Sequence, residues 1–144
     1  MSSPESSDAR ASRRLLRPYG PDGHDAPRFA YSLGVLCGGM VFIAGQVARD
    51  AAGRLIGPAD PEAQARQVYE NVRAVLADAG GGPGDIVATT TYITDRAYRE
   101  PVTAVRRSFF DGADYPANTL VIVAGLGLPD YLVEVSAIAV VPRR

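Results

Sequence analysis

The sequence lacks lysine and tryptophan, and it contains one cysteine and one histidine. All 15 basic residues are therefore arginines. Without lysine there can be no Schiff-base lysine and no lysine-anchored pyridoxal phosphate, since both need a side-chain primary amine. One thiol and one imidazole are too few for a zinc site of cysteine and histidine ligands within one subunit. These absences exclude several classes of catalytic chemistry before any motif is considered.

The histidine and the cysteine both lie in contexts that favour structural roles. His24 lies in the turn-forming run of residues 20–25, which is typical of a solvent-exposed loop rather than of a Ser-His-Asp system. Cys37 precedes a pair of glycines, which is typical of a packed thiol rather than of a nucleophile. Because Cys37 has no disulfide partner within the chain, we expect a reducing, cytoplasmic compartment.

Long apolar runs and a strong net charge are also missing. No stretch approaches the roughly 18 uninterrupted apolar residues that a membrane-spanning helix requires. Residues 1–5 lack the basic start and apolar core of a signal peptide. The formal net charge of -1 gives no overall basic field for a phosphate backbone. We therefore expect a soluble protein that is not exported, with no membrane partner and with nucleic acid disfavoured as a partner.

The composition is that of one folded domain preceded by an extension. Hydrophobic residues make up 47% and charged residues 22% of the 144 residues, and this length suits a single core. Residues 1–27 are rich in Ser, Arg, Pro and Gly, so we expect a partly flexible N-terminal extension ahead of one domain over residues 28–144. A solvated tail is the favoured role for the basic cluster of this extension, and an arm that reaches a ligand is the alternative. The cluster consists of Arg10, Arg13, Arg14 and Arg17.

Hydrophobic periodicity predicts the order ββαβαββ within the domain. The pair Gly38 and Gly39 suits a tight hairpin between the first two strands. Asp60 followed by Pro61 predicts the start of the first helix, and the glycines from Gly80 onward end it. Strands are predicted over residues 29–35, 40–44, 86–93, 119–123 and 132–140, and helices over residues 61–79 and 98–110.

This order of elements predicts an α+β fold with a mixed sheet. Two helices cannot cover both faces of such a sheet, so we expect both helices to pack on one face. The other face then needs cover of its own. A symmetric oligomer is the natural way to supply that cover.

Short groups of residues along the domain combine into one pattern. They are Ile43-Ala44-Gly45-Gln46, Gln64-Ala65-Arg66-Gln67 with Asn71-Val72, Gly84-Asp85-Ile86-Val87, Phe109-Phe110, Tyr115-Pro116-Ala117 and Val133-Glu134-Val135-Ser136-Ala137-Ile138-Ala139. Their order and spacing over residues 29–141 resemble the YjgF/RidA family of reactive-intermediate deaminases. The resemblance implies a chorismate-mutase-like fold and a homotrimer. It also implies a cleft at each subunit interface, in which enamines or imines are hydrolysed to carbonyl compounds and ammonia without a metal or a cofactor.

The resemblance assigns a catalytic role to Glu134 and substrate-binding roles to Tyr31 and Gly45. Glu134 matches the acidic residue that positions the attacking water, and its apolar neighbours are also typical of a strand with one polar residue facing a cleft. The alternative for Glu134 is an exposed strand carboxylate. Tyr31 matches the cleft tyrosine that a neighbouring subunit contributes, and by composition alone it fits a half-buried strand aromatic equally well. The backbone of Gly45 would orient the substrate.

Other positions depart from the family and predict a different substrate. In deaminases of amino-acid-derived imines, Pro-Ala is followed by an arginine that clamps the substrate carboxylate, whereas Asn118 stands here. An amide cannot form that charge-assisted bidentate pair, so we expect a preference shifted away from amino-acid-derived imines. Leu120 replaces a frequent cysteine and Ala44 replaces a frequent serine, so we expect a more apolar substrate-binding cleft. Thr103 lies where some relatives have an asparagine, so we expect a different cleft rim. Arg49 is a candidate to replace part of the clamp, and a paired or solvated loop arginine is the favoured alternative.

The leading hypothesis is a trimeric enzyme that hydrolyses an enamine, imine or related electrophilic intermediate in specialised metabolism or aromatic catabolism. Proton transfer for tautomerisation or cyclisation in the same cleft is one alternative, since Glu134 can move a proton without a water. A non-catalytic trimer that binds a small molecule is another; the missing arginine favours it and Glu134 disfavours it. Ribonuclease activity is known for some relatives, but this sequence supplies neither a basic stripe nor a histidine pair.

Overall fold

The structure is a computed structural model that describes residues 13–112 and 114–142. Two α-helices, α1 (Pro61–Asp78) and α2 (Arg99–Phe109), pack on a six-stranded sheet within these residues. The strands are β1 (Arg14–Leu16), β2 (Gly34–Cys37), β3 (Met40–Gln46), β4 (Ile86–Ile93), β5 (Ala117–Ile122) and β6 (Val133–Val140). Their order across the sheet is β1-β2-β3-β6-β4-β5. Strands β4 and β5 run parallel and the other neighbours run antiparallel, so the predicted mixed sheet is confirmed.

The order ββαβαββ is confirmed from β2 onward, but the first of these strands begins later than predicted. Gly23–Phe29 forms a 3-10 helix that ends at Ala30, whose φ is 61°. This left-handed residue reverses the chain, so an extended strand cannot start at residue 29. Tyr31 consequently lies in the segment that connects the 3-10 helix to β2, and the expectation of a strand aromatic is wrong.

An additional strand, β1, precedes the predicted elements. Its residues pair with β2 in antiparallel register, with Leu16 opposite Gly34. The Leu16 side chain is fully buried. A Cβ added at Gly34 would lie 2.5 Å from Val75 Cγ1 and 3.0 Å from Leu16 Cδ1, so the glycine makes room for this packing. Part of the expected N-terminal extension therefore belongs to the sheet; three residues are too few to show a strand periodicity.

Both helices pack on one face of the sheet, as predicted. Helix α1 begins where expected, because the Asp60 side chain accepts a hydrogen bond from Ala63 N at 3.0 Å and Pro61 occupies the first turn. Along β6, side chains that fill the core between the helices and the sheet alternate with side chains on the opposite face of the sheet. The opposite face of the sheet leaves Phe42 and Val140 exposed at 43% and 49%. The core side of the sheet includes Val41, Ile43, Ile93, Val133, Val135, Ala137 and Ala139.

His24 is buried, contrary to the solvent-exposed loop predicted for it. Its ring stacks on Tyr19 with 4.5 Å between ring centroids, and its Nε2 lies 2.7 Å from the carbonyl oxygen of Asp50. Tyr19 in turn donates a hydrogen bond to Asn71 Oδ1 at 2.7 Å. The segment after β1 is thus folded onto helix α1 and the loop after β3. A run of turn formers indicates a loop but does not indicate what that loop packs against.

Two kinds of feature are missing from the described part of the chain. Across residues 13–112 and 114–142, no helix has both the length and the apolar character needed to cross a membrane. In the same ranges, His, Cys, Asp and Glu side chains nowhere form a group of three or more that could hold a metal ion.

Truncating Leu16 is expected to destabilise the domain, because its side chain fills the space between β2 and helix α1. Leu16→Ala should lower the free energy of unfolding by about 2–5 kcal/mol, the usual range for a fully buried leucine. Chemical denaturation of the full chain measures this. Leu15→Ala is the matched control, since Leu15 is the neighbouring and only half-buried residue of β1. Equal, small losses for both variants would show that β1 is not part of the cooperative fold.

Candidate functional site

Glu134 and Gly45 meet on the face of the sheet that the helices leave open. Glu134 lies on β6 opposite Tyr92 of β4, between the buried residues Val133 and Val135. The register between β3 and β6 shifts between Ile43 and Gln46, which places a β-bulge at Gly45. A Cβ at Gly45 would overlap the Glu134 carboxylate. The glycine therefore permits the carboxylate to lie directly against the backbone of the bulge.

The Glu134 carboxylate is partly buried, and burial raises its pKa above the ordinary value of 4.5. Within the described residues it forms no ion pair. A carboxylate with no compensating cation and a raised pKa exchanges its proton nearer to neutral pH. Such a group is suited to general acid–base catalysis.

The segment around Tyr31 runs beside the same bulge. Ala44 N donates a hydrogen bond to the carbonyl oxygen of Leu33 at 2.9 Å. Tyr31 is 41% exposed, and it borders a cavity of about 360 Å³ between the 3-10 helix and β1. Two of the predicted residues, Ala44 and Gly45, thus lie beside Glu134 at the bulge, whereas Tyr31 lies on the segment that leads to Leu33 and borders a separate cavity. Arg13 and Arg17, from the predicted basic cluster, line the same cavity as Tyr31; Arg10 lies outside the described residues.

Gln46 fixes the bulge from the core side. Its Nε2 donates a hydrogen bond to the carbonyl oxygen of Ala44 at 2.9 Å, and the residue is 1% exposed. Its Oε1 is buried without a hydrogen-bond partner within the described residues. Holding the Ala44 carbonyl inward stabilises the backbone against which Glu134 lies. The family pattern includes Gln46, but the sequence alone gave it no role.

Asn118 lies at the edge of the sheet on the side of the helices. It is the register partner of Thr89, and its Oδ1 accepts hydrogen bonds from the hydroxyls of Thr89 and Thr91, each at 2.9 Å. Leu120, two residues further along β5, packs against the hydrophobic core. Thr103 is half-buried on helix α2. Asn118 and Leu120 therefore share the helix side of the sheet.

Two residues that the sequence did not single out, Arg106 and Tyr69, complete a polar cluster with Asn118. Arg106 Nη2 donates to Thr91 Oγ1 at 3.4 Å, and Arg106 Nε donates to the Tyr69 hydroxyl at 3.3 Å. Burial raises the pKa of Tyr69, and the nearby Arg106 guanidinium opposes that shift. Both residues occupy ordinary positions of amphipathic helices. The one sequence feature that points to Arg106 is its position directly after Val105, which is buried.

The predicted site residues thus form two half-sites on opposite faces of one sheet. We call Glu134 with Gly45 the carboxylate half-site, and Asn118 with Arg106 the arginine half-site. Tyr92 of β4 is the register partner of Glu134, whereas the adjacent Thr91 is bonded to both members of the arginine half-site. Successive residues of a strand point to opposite faces. A single copy therefore does not bring Glu134 and Asn118 together.

Arg49 is tied to its own loop. Its Nε donates to the carbonyl oxygen of Gly53 at 2.9 Å, and its Nη1 lies 3.5 Å from the carbonyl oxygen of His24. The guanidinium of Arg49 thereby links the loop after β3 to the 3-10 helix. This is the paired loop arginine that the sequence favoured over a replacement clamp.

Replacing Glu134 with glutamine is expected to raise the free energy of unfolding at neutral pH. Because the folded-state pKa of Glu134 lies above its ordinary value of 4.5, the folded chain binds this proton more tightly than the unfolded chain does. Wild-type stability therefore falls as pH rises from that ordinary value through the raised pKa. Glutamine does not ionise and escapes this loss. Urea unfolding at acid and at neutral pH measures the difference.

The control for this experiment is Glu100→Gln, which neutralises an exposed carboxylate on helix α2. We expect its effect on stability to be smaller at neutral pH. A Glu134→Gln protein whose stability relative to wild type is the same at acid and neutral pH would contradict a buried carboxylate without a compensating charge.

Comparison with known proteins places this geometry in a family. Residues 23–141 match the family model described as Endoribonuclease L-PSP. The Yersinia pestis protein YyfA, described as a protein of unknown function of the conserved Rid family, is 31% identical; the alignment covers 90% of this chain and 99% of that chain, with a TM-score of 0.80.

Two E. coli structures are similar to a comparable degree. The YjgF gene product is 36% identical with a TM-score of 0.76, and the alignment covers 88% of this chain and 96% of that chain. TdcF, solved with bound serine, is 35% identical with a TM-score of 0.75, over 88% of this chain and 98% of that chain. With the family model matching most of its length, this chain belongs to the Endoribonuclease L-PSP family, which is the YjgF/RidA family.

Proposed function

We propose that this protein is a cytoplasmic, RidA-like enzyme that hydrolyses a reactive enamine or imine to a carbonyl compound and ammonia. The observation that carries the proposal is the Glu134 carboxylate, which is partly buried against Gly45 with a raised pKa. Packing alone does not account for a carboxylate at this position, because burying a charge without a partner is costly. Family membership is compatible with this chemistry, and equally with the endoribonuclease role that the description of the family model names.

The proposed site forms between copies of a homotrimer. Each copy carries the carboxylate half-site on the open face and the arginine half-site on the helix side, at the β5 edge. That edge is apolar and exposed, with Val121 at 37% and Ile122 at 42% exposure. An exposed edge strand and an exposed apolar face both favour association. A closed ring of three copies would pair the carboxylate half-site of one copy with the arginine half-site of the next at every interface.

In the proposed reaction Glu134 deprotonates a water that adds to the carbon of the C=N bond. The new C–O bond forms as the C=N π electrons move to nitrogen, which takes up a proton. The resulting carbinolamine then expels ammonia while its hydroxyl proton is lost, and a C=O bond forms. Glu134 carries protons between oxygen and nitrogen and ends in its original state. An enamine enters the same sequence once its carbon is protonated to give the imine.

The other predicted residues bind and orient the substrate in this proposal. The backbone of Gly45 and the amide of Asn118 supply polar contacts, and Tyr31 covers the cleft from the neighbouring subunit. Ala44 and Leu120 provide apolar walls. The half-buried Thr103 borders the arginine half-site from helix α2, three residues before Arg106.

Asn118 shifts the proposed preference away from amino-acid-derived imines, whose carboxylate is attached to the imine carbon. The Oδ1 atom already accepts from Thr89 and Thr91, so the side chain offers a new ligand only the neutral N–H donors of Nδ2. Losing one partner of a desolvated charge pair costs about 2–5 kcal/mol. That corresponds to a roughly 30-fold to several thousand-fold loss of rate. Specialised metabolism or aromatic catabolism would supply imines without that carboxylate.

Two alternatives share this cleft. Glu134 could transfer a proton in a tautomerisation or cyclisation, which needs no water, or the trimer could bind a small molecule without turnover. One solved relative, TdcF, has serine bound, which supports a small-molecule ligand. The description of the family model, Endoribonuclease L-PSP, makes RNA cleavage a further candidate, but the net charge of -1 and the single histidine give RNA cleavage little chemistry to use.

Ammonia release from freshly generated imines tests the proposal. One imine derives from a neutral amine and one from an amino acid, and each is given to wild type, Glu134→Gln and Asn118→Arg. Wild type should hydrolyse the neutral imine, and Glu134→Gln should lower that rate by about 10²–10⁴-fold, the usual contribution of a general base. Asn118→Arg should raise the rate on the amino-acid imine. Glu100→Gln controls for the loss of an exposed carboxylate.

Several outcomes would contradict the proposal. Full turnover in Glu134→Gln would remove its catalytic role. Saturable ligand protection without turnover would establish the binding trimer, and an isomerised or cyclised product without ammonia would establish proton transfer. Salt-sensitive cleavage of RNA that is lost in Glu134→Gln would establish a nuclease.

A further inference from the structure

Arg106 is a partly buried cation with no carboxylate partner in the described part of the chain. Its two hydrogen bonds, to Thr91 and Tyr69, are 3.4 Å and 3.3 Å long, whereas a good N–H···O bond measures about 2.9 Å. Both acceptors are neutral hydroxyls. A guanidinium has five N–H donors, and within residues 13–112 and 114–142 Nη1 makes no hydrogen bond. The geometry therefore leaves Arg106 with unused donors and, within these residues, no carboxylate partner; its place in the last turn of helix α2 supplies only the partial negative charge of a helix end.

Several other arginines of the chain differ from Arg106 in having an acidic partner. Each of them lies closer to the solvent than Arg106, so each needs its partner less. The pairs are Arg14 with Asp78, Arg54 with Asp50, Arg66 with Glu62, and Arg73 with Glu70. Arg106 is the more buried cation and has only the partial negative charge of the helix end beside it, so it can pair with an anion from outside the described chain.

Hydrogen bonds through the Thr91 hydroxyl connect Arg106 to Asn118. Arg106 Nη2 donates to Thr91 Oγ1, which leaves the Thr91 hydroxyl proton for Asn118 Oδ1. Thr89 also donates to Asn118 Oδ1, so the amide is oriented with Nδ2 away from both threonines. Asn118 is exposed at the sheet edge. Two kinds of donor, an amide N–H₂ and a guanidinium, are thereby presented on the same side of β5.

We propose that Arg106 and Asn118 together bind a carboxylate, and that the substrate is an imine or enamine whose carboxylate is separated from the reacting carbon by at least one further carbon. The substrate assignment rests on the proposed function, whereas the anion site stands on the donors alone. Asn118 occupies the position where relatives clamp a carboxylate attached to the imine carbon. Arg106 lies one hydrogen-bonded hydroxyl further from that position, so the anion must reach further.

This arrangement gives a preference for a substrate with a carboxylate, which a neutral amide alone cannot give. Guanidinium and carboxylate pair through planar, charge-assisted hydrogen bonds. In this proposal a 2-imino acid, whose carboxylate is attached to the imine carbon, meets Asn118 but not Arg106, which lies beyond the Thr91 hydroxyl. An acid with a longer spacer reaches Arg106 while its imine carbon stays at the cleft.

Binding of stable carbonyl compounds to the full-length protein tests the inference without requiring turnover. The probes are levulinate, its methyl ester and pyruvate, titrated by calorimetry. Wild type should bind levulinate at least about tenfold more tightly than the ester, which lacks the charge, and more tightly than pyruvate. Arg106→Gln should abolish the preference for levulinate over its ester. Arg107→Gln is the matched control, because Arg107 is the exposed neighbour on helix α2.

Further variants keep the result interpretable. Levulinate binding requires no turnover, so failure of imine hydrolysis and failure of anion binding are distinguished by measuring both on the same wild-type preparation. Arg106→Lys retains the charge without the planar fork and should keep part of the preference; it replaces Arg106→Gln if that variant does not fold. Equal affinity of wild type for levulinate and its ester, or an unchanged preference in the Arg106 variants, would overturn the anion site. Equal affinity for pyruvate and levulinate would overturn the claim that a further carbon must separate the carboxylate from the reacting carbon.

Discussion

The alternation of side chains across the central sheet decides where each functional group of this protein lies. Because both helices cover one face, alternate residues of β6, and of β3 and β4 outside their register shifts, are committed to the core, and the residues between them face the open side. Glu134 falls in the open set, whereas Thr91 falls in the core set. The carboxylate half-site and the arginine half-site consequently lie on opposite faces of the sheet. Association with a second copy would bring the two kinds of half-site together.

Each half-site depends on a local departure from regular structure. On the open face the bulge at Gly45, held by Gln46, lets the Glu134 carboxylate lie against the backbone. On the helix side, threonine hydroxyls in the core orient Asn118 and contact Arg106. Each arrangement carries a cost in stability, since one partly buries a carboxylate and the other partly buries a cation that has no carboxylate partner in the described residues. Such costs are typical of functional sites rather than of a packing core.

The sequence predicted the elements that carry local signals better than the elements that depend on distant contacts. The bounds of β4 and the start of helix α1 were predicted correctly because periodicity and the Asp60-Pro61 cap are local signals. Strand β1 and the 3-10 helix were not predicted, since each is short and depends on distant contacts. Glu134 and Asn118 were found through the family pattern, but their separation on two faces depends on strand register, which one strand's sequence does not show.

Subunit complementation tests the central claim that a working site combines half-sites from two copies. One variant carries Glu134→Gln and the other carries Asn118→Ala with Arg106→Gln, and each alone should lack imine hydrolysis. When the two are co-expressed and co-purified, random assortment should join intact halves at about a quarter of the interfaces, restoring about that share of wild-type turnover. Mixed assemblies as inactive as the separate variants would show that the halves do not act across an interface.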